Sequence, residues 1–185
     1  MTCITRRSFS VLAFALASAR ARSADDAVAA QLRAGGCVVL WRHAQTTPGV
    51  GDPPGFRLGV CSSQRNLSLE GRAQASAAGE WFKRRALKPT AVRSSAWCRC
   101  RDTADLAFGT HVHWAPLDST FGRSADAGGR RQVMLDGMTR IPAGAFEVWV
   151  THQVNIGAFT GESLAMGEAV IVGPEGRVLG RSDFG

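Results

Sequence analysis

The chain has 185 residues, 45% of them hydrophobic and 20% charged, which suits one globular domain with its own core and excludes a disordered or low-complexity protein. The formal charge of +7 at first suggests a polyanion-binding protein, but Arg6, Arg7, Arg20 and Arg22 fall in a stretch that reads as an address. Without residues 1–24, 18 of the 22 Lys+Arg stand against all 15 Asp+Glu, and the remaining +3 suits a small anionic ligand and makes no case for nucleic acid.

Residues 1–24 combine the twin-arginine pattern Thr5-Arg6-Arg7-Ser8-Phe9, an apolar run from Val11 to Ala19, and small residues around Ala19-Arg20-Ala21. This is expected to be a twin-arginine signal peptide with a domain over 25–185 behind it. The apolar run is shorter than the ~20 residues that span a bilayer, so no stable membrane association is expected after cleavage. Export, to the periplasm or beyond, puts Cys37, Cys61, Cys98 and Cys100 in an oxidising compartment. Four cysteines allow three full pairings, and a bridge from Cys61 to Cys98 or Cys100 is expected. Cys98-Arg99-Cys100 lacks the spacing of a zinc or thioredoxin-like motif, and Cys37 opens an apolar run where it can serve as core.

A short helix is expected over 25–35, stopped by Gly35-Gly36. Cys37 to Arg42 is continuously apolar until its end, as in a central strand covered on both faces. Residues 44–66 form a long loop rich in Gly and Pro, placed to wall a site; Arg57 and Arg65 within it suit either that site or solvent. Ser68 is a good N-cap for a helix running to about Leu87, with Glu70 in its first turn. A strand over Ala91–Ser94 follows, then a helix capped by Ser95 and running from Ala96 to about Phe108, with Arg99 and Thr103 one turn apart. Val112-His113-Trp114 is a short strand, a loop covers 115–130, and a helix covers roughly 130–140. Phe146 to Val150 is a third apolar strand ending in Thr151-His152, followed by a helix to Thr160. Glu168–Val172 and Arg177–Leu179 close the chain as an antiparallel pair. His111 and His113 form an H-x-H pair that suits partly buried edge positions better than a metal site.

Alternating strands and helices predict an α/β fold, a three-layer α/β/α sandwich around a mostly parallel central sheet. Ligands of such sheets bind beyond the carboxyl ends of the strands. Three strands end in Arg42-His43, in Ser94-Ser95 with Arg99 just beyond, and in Thr151-His152, so two imidazoles and two guanidiniums should converge. Arginine grips phosphate in a planar bidentate fashion, and a neutral histidine can attack phosphorus.

These residues carry a resemblance. Arg42-His43-Ala44-Gln45-Thr46 is similar to the R-H-G-E/Q-T signature of the histidine phosphatase superfamily, the phosphoglycerate-mutase-like branch. Asn66-Leu67-Ser68 with Gly71 and Gln74-Ala75, Ser94-Ser95 with Arg99 and Thr103-Ala104, and Thr151-His152 with Thr160-Gly161 resemble its further blocks, in order, over roughly 37–172. The resemblance implies a phosphomonoester hydrolase with His43 as the phosphohistidine nucleophile. Arg42, Arg99 and His152 would bind the phosphoryl group of a small phosphorylated substrate, and Gln45 would line the pocket, with no metal and no cofactor. Ala44 stands where the family has Gly. The family's acid, which protonates the leaving oxygen, has Asp118 as its nearest counterpart and Asp52 as second choice; Gln153 after His152 removes the His-Asp pair of the other branch. A non-catalytic phosphate-binding protein on the same scaffold is the alternative.

Overall fold

The protein is described here by a computed structural model covering residues 25–121 and 127–184. The expected signal peptide at 1–24 lies outside the described residues. Six strands, β1 (Cys37–Arg42), β2 (Ala91–Ser94), β3 (Val112–His113), β4 (Phe146–Thr151), β5 (Ala169–Val172) and β6 (Val178–Ser182), form one sheet in the order β3-β2-β4-β1-β5-β6. The four strands β3, β2, β4 and β1 run parallel, while β5 and β6 add an antiparallel edge. The helices are α1 (25–34), α2 (Leu69–Arg84), α3 (Cys98–Phe108), α4 (Ala127–Met138) and α5 (Gln153–Thr160).

β1 is apolar at every position to Trp41 because both of its faces are covered. Cys37, Val39 and Trp41 pack with Val28 and Leu32 of α1, Trp81 and Phe82 of α2, and Cys100 and Ala104 of α3. Val38 and Leu40 point to the opposite layer, with Met134 and Met138 of α4 and Ile156 and Phe159 of α5. This is the expected α/β/α sandwich, and the period-2 alternation of side chains sorts the two cores.

Two helix starts show how local and tertiary demands compete. Ser68 caps α2 as expected, its hydroxyl accepting from the Gly71 N–H at 3.1 Å. α3, however, begins at Cys98 rather than Ala96, because Ser95 is not its cap. The Ser95 hydroxyl is taken by His152 at 2.8 Å, and the Ala96 N–H is taken by the Asp118 carboxylate at 2.7 Å. α2 ends three residues short of Leu87, where Ala86 turns to φ 52° and closes the helix.

The register sets the site. Arg42 pairs with Thr151 and Ser94 with Val150, so the carboxyl ends of β1, β4 and β2 lie side by side. The turn after β1 is clamped from outside: a Cβ on Gly71 would stand 1.8 Å from the Gln45 carbonyl oxygen, so only glycine lets α2 approach this close. Ala44 N–H donates to Thr103 Oγ1 at 3.0 Å, which ties the same turn to α3.

A disulfide joins Cys61 in the long loop to Cys98 at the start of α3, and Cys37 and Cys100 are free and buried. Gln64 reinforces that junction, its side-chain oxygen accepting from the Cys98 N–H at 3.0 Å. The bridge closes 37 residues of sequence, so its loss should destabilise the domain by roughly 2–4 kcal/mol in the chain-entropy account. Urea unfolding of Cys61→Ser/Cys98→Ser beside the wild type measures this, and an unchanged midpoint would mean the loop is held without the bridge.

Candidate active site

His43 leaves the end of β1 and is 3% exposed. Its Nδ1 lies 2.9 Å from the carbonyl oxygen of Ala44. A carbonyl can only accept, so Nδ1 carries the proton and Nε2 keeps its lone pair. Ala44 does not take up a positive φ, and its replacement of glycine therefore leaves this turn unstrained. His152, at the end of β4, places its ring centroid 5.5 Å from that of His43, edge to face.

Three guanidiniums border the same space. Arg42 ends β1, Arg99 rises from the first turn of α3, and Arg65 comes from the end of the long loop; all three line one cavity of about 600 Å³ with His43 and His152. Among the described residues, the Nε–H groups of Arg42, Arg65 and Arg99 are buried without a hydrogen-bond partner. Three guanidiniums lining one cavity make it a place for an anion.

One anion is already present. Asp52, at the loop tip, receives Arg99 at 2.7 and 3.3 Å through its two oxygens. It also accepts from the Arg65 backbone N–H at 3.0 Å and from Trp97 Nε1 at 2.9 Å. The Asp52 and Arg99 side chains are only 6% and 5% exposed. Burial by itself would raise the Asp52 carboxyl, but the hydrogen bonds from Arg99, Arg65 and Trp97 and the Arg99 charge outweigh it and hold the pKa below the ordinary value. Asp52 is therefore ionised, and three guanidiniums against one carboxylate leave two positive charges uncompensated in the lining.

Burial, with the same field added, keeps both imidazoles neutral. Burial pushes His43 down to about 3; its bond to Ala44 opposes this, and Arg99, Arg42 and Arg65 add smaller pushes in the same direction as burial. Burial, then His43 and the same arginines, push His152 well below its ordinary value. A neutral His43 with a free Nε2 lone pair is competent as a nucleophile, and the arginines can hold the electrophile it attacks.

Of the residues expected in the site, Arg42, His43, Arg99 and His152 do come together. Gln45 does not line the cavity: its side chain is exposed, while its backbone is tied up, N–H to Gln74 Oε1 at 3.1 Å and carbonyl to the Ser68 N–H. Asp118 is also outside the cavity, its carboxylate engaged by the Ala96 N–H and, at 3.1 and 3.2 Å, by His113 Nε2. His113 is thereby separated from His111, which pairs with Asp105, so the H-x-H pair is split between two carboxylates. Arg57 is exposed, whereas Arg65 is in the site; its position just before the Asn66-Leu67-Ser68 block was the available signal. Phe56, Ser119, Phe121 and Met166 also line the cavity, and nothing in the sequence marked them.

The histidine tautomers are directly observable. Because the folded pKa of His43, about 3, lies below the ordinary 6.5, its contribution to stability is complete above pH 6.5 and is lost as pH falls from 6.5 towards 3. Nitrogen-15 NMR of the unliganded protein should show His43 neutral, protonated on Nδ1, from pH 8 down to pH 5. An imidazolium signal for His43 at pH 6 would contradict this electrostatic account.

Comparison with known proteins agrees with this geometry. The family model described as histidine phosphatase superfamily (branch 1) matches residues 38–119. Among solved structures, a putative phosphohistidine phosphatase SixA from Agrobacterium tumefaciens is 18% identical with a TM-score of 0.56, over 79% of this chain and 97% of that one. TTHB049 from Thermus thermophilus is 21% identical with a TM-score of 0.56, over 78% of this chain and 98% of that one. The mycobacterial glucosyl-3-phosphoglycerate phosphatase Rv2419c is 17% identical with a TM-score of 0.54, over 74% of this chain and 89% of that one. At these identities the structures bear on the fold. No curated protein sequence matches the chain. The matched segment contains the Arg42-His43 strand end, Arg65 and Arg99, the same groups that border the cavity, and over that segment the chain is similar to the histidine phosphatase superfamily, branch 1.

Proposed function

We propose that the protein hydrolyses phosphomonoesters through a phosphohistidine on His43 Nε2, without a metal. The observation that carries this reading is one cavity lined by Arg42, Arg65 and Arg99 around a neutral His43. The two positive charges left over in the lining match a phosphoryl dianion. His43 Nε2 attacks phosphorus, the phosphorus–oxygen bond to the alcohol breaks, and the leaving oxygen takes a proton. Water then attacks phosphorus, the phosphorus–nitrogen bond breaks, and phosphate departs with His43 restored. The guanidiniums and His152 offset the charge that develops on the non-bridging oxygens.

Asp52 is the proton donor in this scheme, in place of Asp118. Its carboxylate lines the cavity, and Arg99, Arg65 and Trp97 hold its pKa below the ordinary value against burial. A phosphoryl dianion arriving beside it competes for Arg99 and, as a like charge, raises the carboxyl pKa, so Asp52 takes up a proton as substrate binds. Asp52→Asn should slow esters with poor leaving groups far more than activated aryl esters, and equal losses on both would remove Asp52 from the role. The twin-arginine pattern and the Cys61–Cys98 bridge support an exported protein.

The second reading, a phosphate-binding protein without turnover, is favoured by the carboxylate already seated on Arg99. Rapid quench with a labelled phosphomonoester, run in the presence of a chelator, separates the two. Wild-type protein should form acid-labile phosphohistidine, and His43→Ala should lose that label and about 10⁴-fold or more of the turnover. Wild type with neither label nor turnover, yet with tight phosphate binding, would leave the second reading.

A further inference from the structure

The cavity has two chemically different ends, and only one is accounted for by the phosphoryl group. Beyond the arginines and histidines it continues between Val50, Phe56, Trp97, Phe121, Val154 and Met166. Trp97 joins the two ends: its ring meets His152 edge-on at 5.3 Å, and the Phe56 ring lies 6.1 Å away, tilted by 38°. Also lining the cavity, Val50 at the loop tip is 89% exposed and Phe121 59% exposed. These two residues stand at the rim of a cavity, where exposed apolar side chains mark a contact surface rather than chance exposure. The rim segments also meet: Gly51 has φ +70°, and a Cβ built on it would lie 3.4 Å from the Phe121 ring. The loop tip and Phe121 thus close on the space from two sides.

The polar side chains at this end are largely committed. Gln153 donates through Nε2 to the Glu162 carbonyl and accepts through Oε1 from the Leu164 N–H, both at 2.9 Å. Ser119 Oγ accepts from the Phe121 N–H at 3.3 Å. A sugar or polyol placed here would bring several hydroxyls against aromatic and aliphatic walls, where a lost hydrogen bond to water is not replaced. A flat apolar group would instead remove its own surface and that of Val50 and Phe121 from water.

We propose that the site is selective for phosphomonoesters whose alcohol portion is an aryl or arylalkyl group, bound between the Trp97–Phe56 wall and the Val50–Phe121 rim. This rests on the phosphoryl-binding reading above and names the substrate class for it. The orientation follows from the chemistry: His43 and the guanidiniums occupy the phosphoryl end, so the alcohol portion projects to the apolar end.

Two measurements test it. The first compares kcat/KM for 2-phenylethyl phosphate and glycerol 1-phosphate, whose alcohols are poor leaving groups of similar acidity, so that proton donation does not decide the ratio. The ratio should favour the arylalkyl ester by about tenfold or more, and Phe121→Ala or Val50→Ser should each lower it several-fold, chiefly through KM. Both residues are exposed, so neither change should compromise folding. The second is calorimetric binding of phenylphosphonate against methylphosphonate, which needs no turnover. Tighter phenylphosphonate binding that Phe121→Ala weakens would uphold the proposal even if the protein proved not to be a catalyst. Equal affinities, or a preference for the polyol ester untouched by both variants, would overturn it while leaving the phosphohistidine mechanism standing.

Discussion

The site is governed by one electrostatic constraint. Arg42, Arg65 and Arg99 surround a single cavity, and each charge disfavours the others. Asp52 answers part of this by taking both Arg99 nitrogens, and its oxygens are filled out by Trp97 and the Arg65 backbone. The same positive field, added to burial, keeps His43 and His152 neutral. The anion site and the loop position therefore depend on one charge distribution, which also reinforces the effect of burial on the histidines. Removing Asp52 alone would leave the buried Arg99 charge without its partner, the costly way to break such a pair.

The scaffold delivers the charges by a simple device. Three parallel strands end level with one another with polar groups at their carboxyl ends, and β1 and β4 pass to them directly from buried apolar runs. Residues that never face the cavity hold this geometry. Gly71 lets α2 lie against the Gln45 carbonyl, Gln74 bridges the Gln45 N–H and the Met166 carbonyl, and Thr103 receives the Ala44 N–H. These contacts explain why glycine, glutamine and threonine belong in the motif blocks: they fix the turn that carries His43.

The apolar end is built differently. It comes from the long loop, the segment around Phe121 and the start of α5, not from strand ends. Strand ends place groups to within the precision of a sheet register, whereas loops vary without disturbing the core. Arg42, His43 and His152 thus rest on the sheet register, whereas Asp52, Arg65 and the apolar rim rest on the long loop and its neighbours.

Much of this was legible in the chain. Continuous apolar runs at 37–41 and 146–150 gave central strands because both faces of such strands are covered, and the strand-end rule brought Arg42, His43, Arg99 and His152 to one place. Local capping rules held for Ser68 and failed for Ser95, whose hydroxyl was taken by a histidine 57 residues away. The role of the carboxylates was not legible. The sequence put Asp118 ahead of Asp52, but the Ala96 N–H and His113 turn Asp118 aside while Arg99 draws Asp52 in. Sequence alone determined the fold class, the family blocks and the histidines and arginines that gather at the strand ends, since these follow from hydrophobic pattern and motif spacing. Only the tertiary structure decided which acid faces the cavity, which cysteine Cys61 joins, and that an apolar rim stands beside the arginines, since those depend on contacts between segments far apart in the chain.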